Sequence, residues 1–499
     1  MAYHESMYFL VFLPVVLIGY QLAPKQVRFG VLLFFSYCFY FLFSHRLIVY
    51  LLGATTITYL TGRLVATGEK KRRKTILIVG VWLLLGMLLV MKYSGFFAEN
   101  LNALFGTMNF GFRFPVRRFL LPLGISFYTL SAIGYMADVY WKKIEPERNI
   151  AKLALFLSFF PIIMEGPICM YSDTAETLAK GEDIRSENLI RGYMRIGWGL
   201  LKKVVIADRL YVVVQTLFDG YASYHGVMIV VAAVSYTVQL YMEFSGCMDI
   251  VIGSAECFGV TLAENFAQPF VSKNASEFGR WFKTYIFYPV SMSKLTRKWN
   301  RFAKKHTSKY IKLMVASAIA LFPVWVCNGL WHGANWSYLF YGMYYFVVIM
   351  IELMLEPAVK KLCAAWKIAE DAAWWNVLRI LKTWVIIFTG ELFFRADTLG
   401  IGMHMFRSLF HDFSIQKLWD GTLLTLGLGR VEIGIILVSL LIVGVVNHFR
   451  EQQIDVRGVI LQKRLPVRWL VYLALIFVVL IFGAYGPGYQ EVDLIYAGF

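Results

Sequence analysis

Apolar runs of bilayer-spanning length recur from one end of this 499-residue chain to the other, and nothing else in it constrains the fold as tightly. Hydrocarbon offers no water to a peptide group, so each spanning stretch must satisfy its own backbone, which a helix does. About 17–25 apolar residues are enough to cross. Candidate spans lie near 7–22, 29–44, 46–62, 75–92, 119–140, 151–169, 190–217, 226–252, 311–327, 335–355, 374–394, 432–449 and 467–485. Those at 119–140 and 190–217 are less purely apolar, as short, tilted or re-entrant elements would be. The expected fold is all-α, a polytopic transmembrane bundle of roughly 11–13 helices around a central cavity, with short interfacial helices. No soluble domain, repeat array or low-complexity tail stands out. Residues 1–499 are therefore expected to form one membrane domain, with a motif-bearing core near 119–395. No internal duplication is visible, which counts against the inverted-repeat architecture of secondary transporters. Tyr8–Tyr20 has no basic stretch before it and no obvious small-residue cleavage site, so it reads as a first span and not a signal peptide.

Composition agrees. The chain is 59% hydrophobic and 16% charged, against about 45–50% and about 25% in soluble domains. The formal charge of +17 belongs in cytoplasmic loops by the positive-inside rule, and no nucleic-acid partner is expected. Two runs carry much of it: Lys70-Lys71-Arg72-Arg73-Lys74, and Lys294 through Arg297, Lys298, Arg301, Lys304 and Lys305 to Lys309. Both are assigned to the cytoplasmic side. A sharper alternative for the second is a dock for an anionic acyl carrier or for the phosphates of coenzyme A. The stretch from Glu264 to Tyr310 has the weakest hydropathy and suits interfacial helices lining a cavity. The six cysteines (Cys38, Cys169, Cys247, Cys257, Cys327, Cys363) form no CxxC pair and read as small core residues. His404 and His411 would share a face if helical, but no carboxylate motif accompanies them, and no metal site is expected.

The residue that points to chemistry is His332. It lies in Gly329-Leu330-Trp331-His332-Gly333-Ala334-Asn335-Trp336, between the apolar runs Leu313–Cys327 and Tyr338–Ile351. An imidazole at membrane depth must be paired, hydrated or chemically employed. Small residues beside it leave room for a substrate or a neighbouring helix. Histidine also changes protonation near neutral pH, which suits it to accept a proton. The alternative is a packing histidine bonded to a neighbour's carbonyl. Other polar residues interrupt the apolar runs: Glu165, Lys202, Lys203, Asp208, Arg209, Glu243, Asp249, Glu256, Glu391 and Arg395. For Lys202, Lys203, Asp208 and Arg209 the expectation is an interior salt-bridge set or a place at the interface. Glu243 and Asp249, six residues apart, share no helical stripe and need not pair as carboxylates.

Taken together, these segments resemble the membrane-bound O-acyltransferase (MBOAT) family, and within it the bacterial branch of alginate O-acetylation proteins and teichoic acid D-alanyl transferases. The resemblance rests on LPLGISFYTLSAIGYMADVY (121–140), FFPIIMEGPICMYSD (159–173), GLLKKVVIADRL (199–210), FSGCMDIVIGSAECFGVTLAENFAQPF (244–270), NGLWHGANW (328–336), ELFFRADTL (391–399) and an aromatic C-terminus. Their order and spacing cover nearly the whole chain. The resemblance implies transfer of an acyl group, acetyl first of all, from a cytoplasmic thioester toward a hydroxyl of an extracytoplasmic cell-envelope polysaccharide or a secreted acetyltransferase partner. It implies a multi-pass protein of the plasma or inner membrane. No cofactor is implied; the thioester, such as acetyl-CoA or an acyl carrier, is substrate.

An alcohol is a poor nucleophile until a base removes its proton, and a neutral imidazole within about 3 Å supplies that, worth roughly 10²–10⁴ in rate. His332 is the expected base. Asn328, Trp331, Asn335 and Trp336 are the candidates for touching substrate, the two asparagines as donors to the oxyanion. The alternative for both asparagines is to satisfy backbone groups at helix ends. One feature departs from the branch's pattern. A second histidine usually sits in a segment F-W-R-R-W-H-x-[ST] before an aromatic Y-P motif. Here Ser276-Glu277-Phe278 runs straight into Gly279-Arg280-Trp281 and on to Tyr288-Pro289. A gap of about eight residues would displace a helix by roughly two turns, about 12 Å. Three alternatives follow: D-alanyl transfer to teichoic acid, a transporter or flippase using His332 and the interior charges as a relay, and a degenerate, non-catalytic family member.

Overall fold

A computed structural model describes residues 2–117, 119–264, 280–369, 372–485, 489 and 492. Among them every regular element is helical and none is a strand. Among the described residues seven helical stretches are long and apolar enough to cross a membrane: Lys25–Thr67, Lys71–Thr107, Val227–Cys257, Lys309–His332, Trp336–Ala365, Arg430–Glu451 and Leu465–Phe482. The protein is a multi-pass membrane protein. The first stretch holds two of the expected spans, α1 (Arg28–Ser44) and α2 (Ile48–Thr67), joined by a 3₁₀ turn at His45–Leu47.

Two expected spans are shorter or broken. The segment at 119–140 becomes helical only as α3 (Ile125–Tyr140). Gly124 before it has φ +65, and a Cβ there would meet the Ile163 carbonyl oxygen at 1.8 Å, so only glycine fits. The segment at 151–169 breaks at Phe159 into Ile150–Ser158 and a single turn, Phe160–Ile163. Glu165 lies in the loop that follows. The apparent deletion between Phe278 and Gly279, with the Asn265–Asn274 part of the polar stretch, lies outside the described residues.

The chain forms two compact units, one of Met1–Tyr211, Gln239–Asn265 and Gly429–Phe499, the other of Val212–Val238 and Phe266–Leu428. α4 (Ser186–Leu200), in the first unit, continues through a π-helical segment, Leu201–Ala207, into α5 (Asp208–Asp219), of which the first unit holds the opening turn. Gly192 and Gly199 of α4 pack on Gly253 and Gly246 of α6 (Val227–Cys257). A Cβ at Gly199 would stand 2.4 Å from the Gly246 carbonyl oxygen, and one at Gly253 2.7 Å from that of Gly192. Small residues bring the two backbones together, as in other membrane helix pairs.

That approach explains the interior charges. Lys202 Nζ reaches Asp249 at 2.7 Å, with Arg195 Nε on the same carboxylate at 2.9 Å. Lys203 Nζ lies 2.8 Å from Asp208 and 3.2 Å from Glu243. Glu243 and Asp249 thus do not pair with each other; each takes its own lysine. The π turn coincides with two successive lysines that are both buried. Arg209 departs from the expected ionic set: it donates to the carbonyls of Val205 and Phe482. Glu165 is fully buried, and neither of its carboxyl oxygens has a hydrogen-bond partner among the described residues.

The second unit contains α7 (Lys294–His306), α8 (Lys309–His332), α9 (Trp336–Ala365), α10 (Ala373–Arg395) and α11 (Leu399–Ser408). Because α11 ends at Ser408, His411 lies beyond it and shares no helical face with His404. All six cysteines are free; Cys169, Cys247, Cys257 and Cys363 are buried as expected, while Cys327 is exposed.

Candidate active site

The site is built where α8 turns into α9. Gly333 and Ala334 end the first helix, and Asn335 starts the next by accepting the Ser337 amide on its side-chain oxygen at 3.0 Å. The two helices then run back against each other at very short range. A Cβ at Gly329 would lie 2.4 Å from the Tyr338 carbonyl oxygen, and one at Gly342 2.2 Å from that of Trp325. The small residues around His332 therefore admit a helix, one of the two uses expected of them.

His332 is the last residue of α8 and is 8% exposed. Among the described residues four rings stand around its imidazole. Phe394 of α10 stands edge-on with centroids 4.9 Å apart, Trp331 also lies at 4.9 Å, Tyr341 at 5.8 Å and Tyr338 at 6.3 Å. Phe394 also packs on Tyr338 at 5.0 Å and on Tyr341 at 4.9 Å, so these rings form an aromatic box. The neighbours of the imidazole among the described residues are thus aromatic side chains.

A polar link runs from the box to α10. The Tyr341 phenol donates to Glu391 Oε1 at 3.1 Å. Glu391 is 6% exposed, and its other oxygen has no hydrogen-bond partner among the described residues. The hydrogen bond fixes the phenol ring, and the ring in turn bounds the imidazole. Arg395, one turn beyond Glu391, turns away to Asp397 at 3.4 Å and covers the Phe218 ring.

Of the residues expected at the site, Trp331 sits beside His332. Asn328 is half-buried one turn earlier on the same face of α8, with no side-chain hydrogen bond among the described residues. Asn335 is engaged elsewhere: besides capping α9, its amide donates to the Asp397 carbonyl at 2.8 Å. Trp336 is 51% exposed. Sequence reasoning did not single out Tyr338, Tyr341 or Phe394, and it met Glu391 only as a charge closing an apolar run. The available signal was spacing: Tyr338 and Tyr341, like Glu391 and Phe394, recur at i and i+3 and so share a helix face.

Comparison with known proteins places these residues inside the range matched by one family. The model of the membrane-bound O-acyltransferase family matches residues 143–394, which include His332, Tyr341, Glu391 and Phe394. The probable alginate O-acetylase AlgI of Pseudomonas syringae pv. tomato is 30% identical over 420 residues, 82% of this chain and 75% of that protein. The peptidoglycan O-acetyltransferase of Helicobacter pylori is 25% identical over 447 residues, covering 82% and 79% respectively. The teichoic acid D-alanyltransferase of Bacillus subtilis is 25% identical over 294 residues, 56% of this chain and 70% of the relative.

Proposed function

This chain belongs to the membrane-bound O-acyltransferase family, and from that premise we propose that it carries an acetyl group from a cytoplasmic thioester to a hydroxyl of a cell-envelope polysaccharide, with His332 as the base. Family membership makes it an O-acyltransferase and sets the transporter reading aside. Acetyl is favoured over D-alanyl because the O-acetylating relatives match 82% of the chain and the Bacillus subtilis D-alanyltransferase 56%. The plasma or inner membrane is the proposed location, as the boundary between such a donor and such an acceptor.

The observation that carries the mechanism is the burial of His332 inside an aromatic box tied to Glu391 through Tyr341. In the proposed step a ring nitrogen of His332 takes the hydroxyl proton as the alcohol oxygen bonds to the thioester carbonyl carbon. The tetrahedral adduct then collapses, the carbon–sulfur bond breaks, and the histidine returns the proton to the departing thiolate. No resident cofactor or metal is needed for this balance. Asn328 is the better placed of the two asparagines to donate to the oxyanion, because Asn335 is held by backbone groups on both sides. The aromatic walls keep water from competing for the acyl group. Purified chain in lipid nanodiscs, supplied with radiolabelled acetyl-CoA and an acceptor polysaccharide, tests this reading. His332→Ala should lose roughly 10²–10⁴ in rate.

A further inference from the structure

The helix α7 takes no part in the proposed chemistry, yet its surface is organised. We propose that it docks on the anionic headgroups of the membrane surface from which α8 begins.

The charge is one-sided. Lys294, Arg297, Lys298, Arg301, Lys304 and Lys305 are all exposed, the helix carries no acidic residue, and none of the six forms an ion pair among the described residues. At 100° per residue with Leu295 as origin, these cations fill one arc from about 180° to about 300°. The buried residues Thr296 and Ala303 lie at about 80–100° on the opposite side. Between the two, at the border of the basic arc, stand Leu295 and Phe302, which are 61% and 53% exposed. Met292, just before the helix, is 69% exposed. Apolar side chains flanked by lysine and arginine stems form the pattern of a helix lying in the interface plane, its apolar edge in the acyl boundary and its cations among the phosphates.

The helix is held where such a surface must be. It ends three residues before the spanning helix α8 begins at Lys309, and the Trp299 indole donates to the Lys312 carbonyl at 3.0 Å. Thr296 Oγ1 donates to the Val290 carbonyl at 2.7 Å, fixing the other end. The cationic arc is thus presented by an anchored helix at the end of a membrane span. Phosphodiester headgroups are the occupant that matches both the charge and the exposed apolar border.

The test uses the full chain in nanodiscs of phosphatidylcholine alone or with phosphatidylglycerol, reading amide hydrogen exchange across residues 294–306. Anionic lipid should slow exchange there by about fivefold or more, and the difference should shrink at 1 M salt, where screening falls to about 3 Å. The combined variant Lys298→Gln, Arg301→Gln, Lys305→Gln should lose the lipid dependence while exchange around His332 stays unchanged. Equal exchange in both lipids would overturn the proposal. So would slowing that appears only when an acidic acyl carrier protein is added to phosphatidylcholine discs, which would make the surface a protein dock.

Discussion

Tyr341 and Glu391, fifty residues apart in sequence, meet at 3.1 Å beside the His332 imidazole. The bond joins α9 to α10 and gives a buried carboxyl its hydrogen bond. It also sets the plane of a ring that stands at 87° to the imidazole.

Replacing Tyr341 with Phe keeps the ring and removes the donor. Glu391 would then be buried with neither oxygen bonded, at a cost of about 1–3 kcal/mol in stability. If Tyr341 positions the box, kcat falls about tenfold with KM little changed, an effect of the size seen for outer-shell partners. The paired change Tyr341→Phe with Glu391→Leu should recover stability but not rate. A fall in stability alone would make the link purely structural.

In the first unit, Lys203 is fully buried between Asp208 and Glu243. Lys203→Met would leave two carboxyls without their cation and should destabilise by about 3–5 kcal/mol. Adding Asp208→Asn and Glu243→Gln should restore most of it, read by thermal unfolding in detergent.

The glycine contact between α4 and α6 makes a steric prediction. Gly199→Val would drive a side chain into the Gly246 carbonyl, 2.4 Å from the Cβ position, and should cost about 1–3 kcal/mol or more. Gly86→Ala, where nothing lies within 4 Å, is the control and should be nearly neutral. Equal melting temperatures for the two variants would contradict the packing.

A surface clasp supplies a pH dependence. Hydrogen bonds from Lys25 and Arg28 hold the Asp183 carboxyl below its ordinary range. A depressed carboxylate stabilises the fold above its unfolded pKa of about 3.9, and the contribution fades as pH falls through the lowered value. Measured against intrinsic rates at each pH, amides at 182–185 should therefore lose protection below about pH 4, and Asp183→Asn should show the same loss at pH 7. Lys25 and Asp183 are exposed while Arg28 is buried, so 1 M salt should weaken the Lys25 contact more than the Arg28 contact.

The spans were legible because hydropathy is a local property: α1, α2, α8 and α9 fall where apolar runs of sufficient length occur. What hydropathy missed were local stops inside apolar sequence. Gly124 delays α3, and the turn at Phe159 breaks the next segment, because backbone conformation and not apolarity decides there. His332 was legible as a polar residue that lipid would penalise. The Tyr341–Glu391 link was not, since each residue alone is unremarkable and only the packing of α9 on α10 brings them together. Asn335 shows the reverse case, where a suggestive motif residue serves the backbone.

The most direct measurement compares acyl transfer by the purified chain, by His332→Ala, and by a form with about eight residues restored between Phe278 and Gly279, the gap whose length corresponds to roughly two helical turns. The expected result is measurable transfer by the unmodified chain, a loss of at least about a hundredfold in His332→Ala, and faster transfer in the restored form. Equal rates for the unmodified chain and His332→Ala would remove the imidazole from the mechanism, and transfer by the restored form alone would make this chain a disabled member of its family.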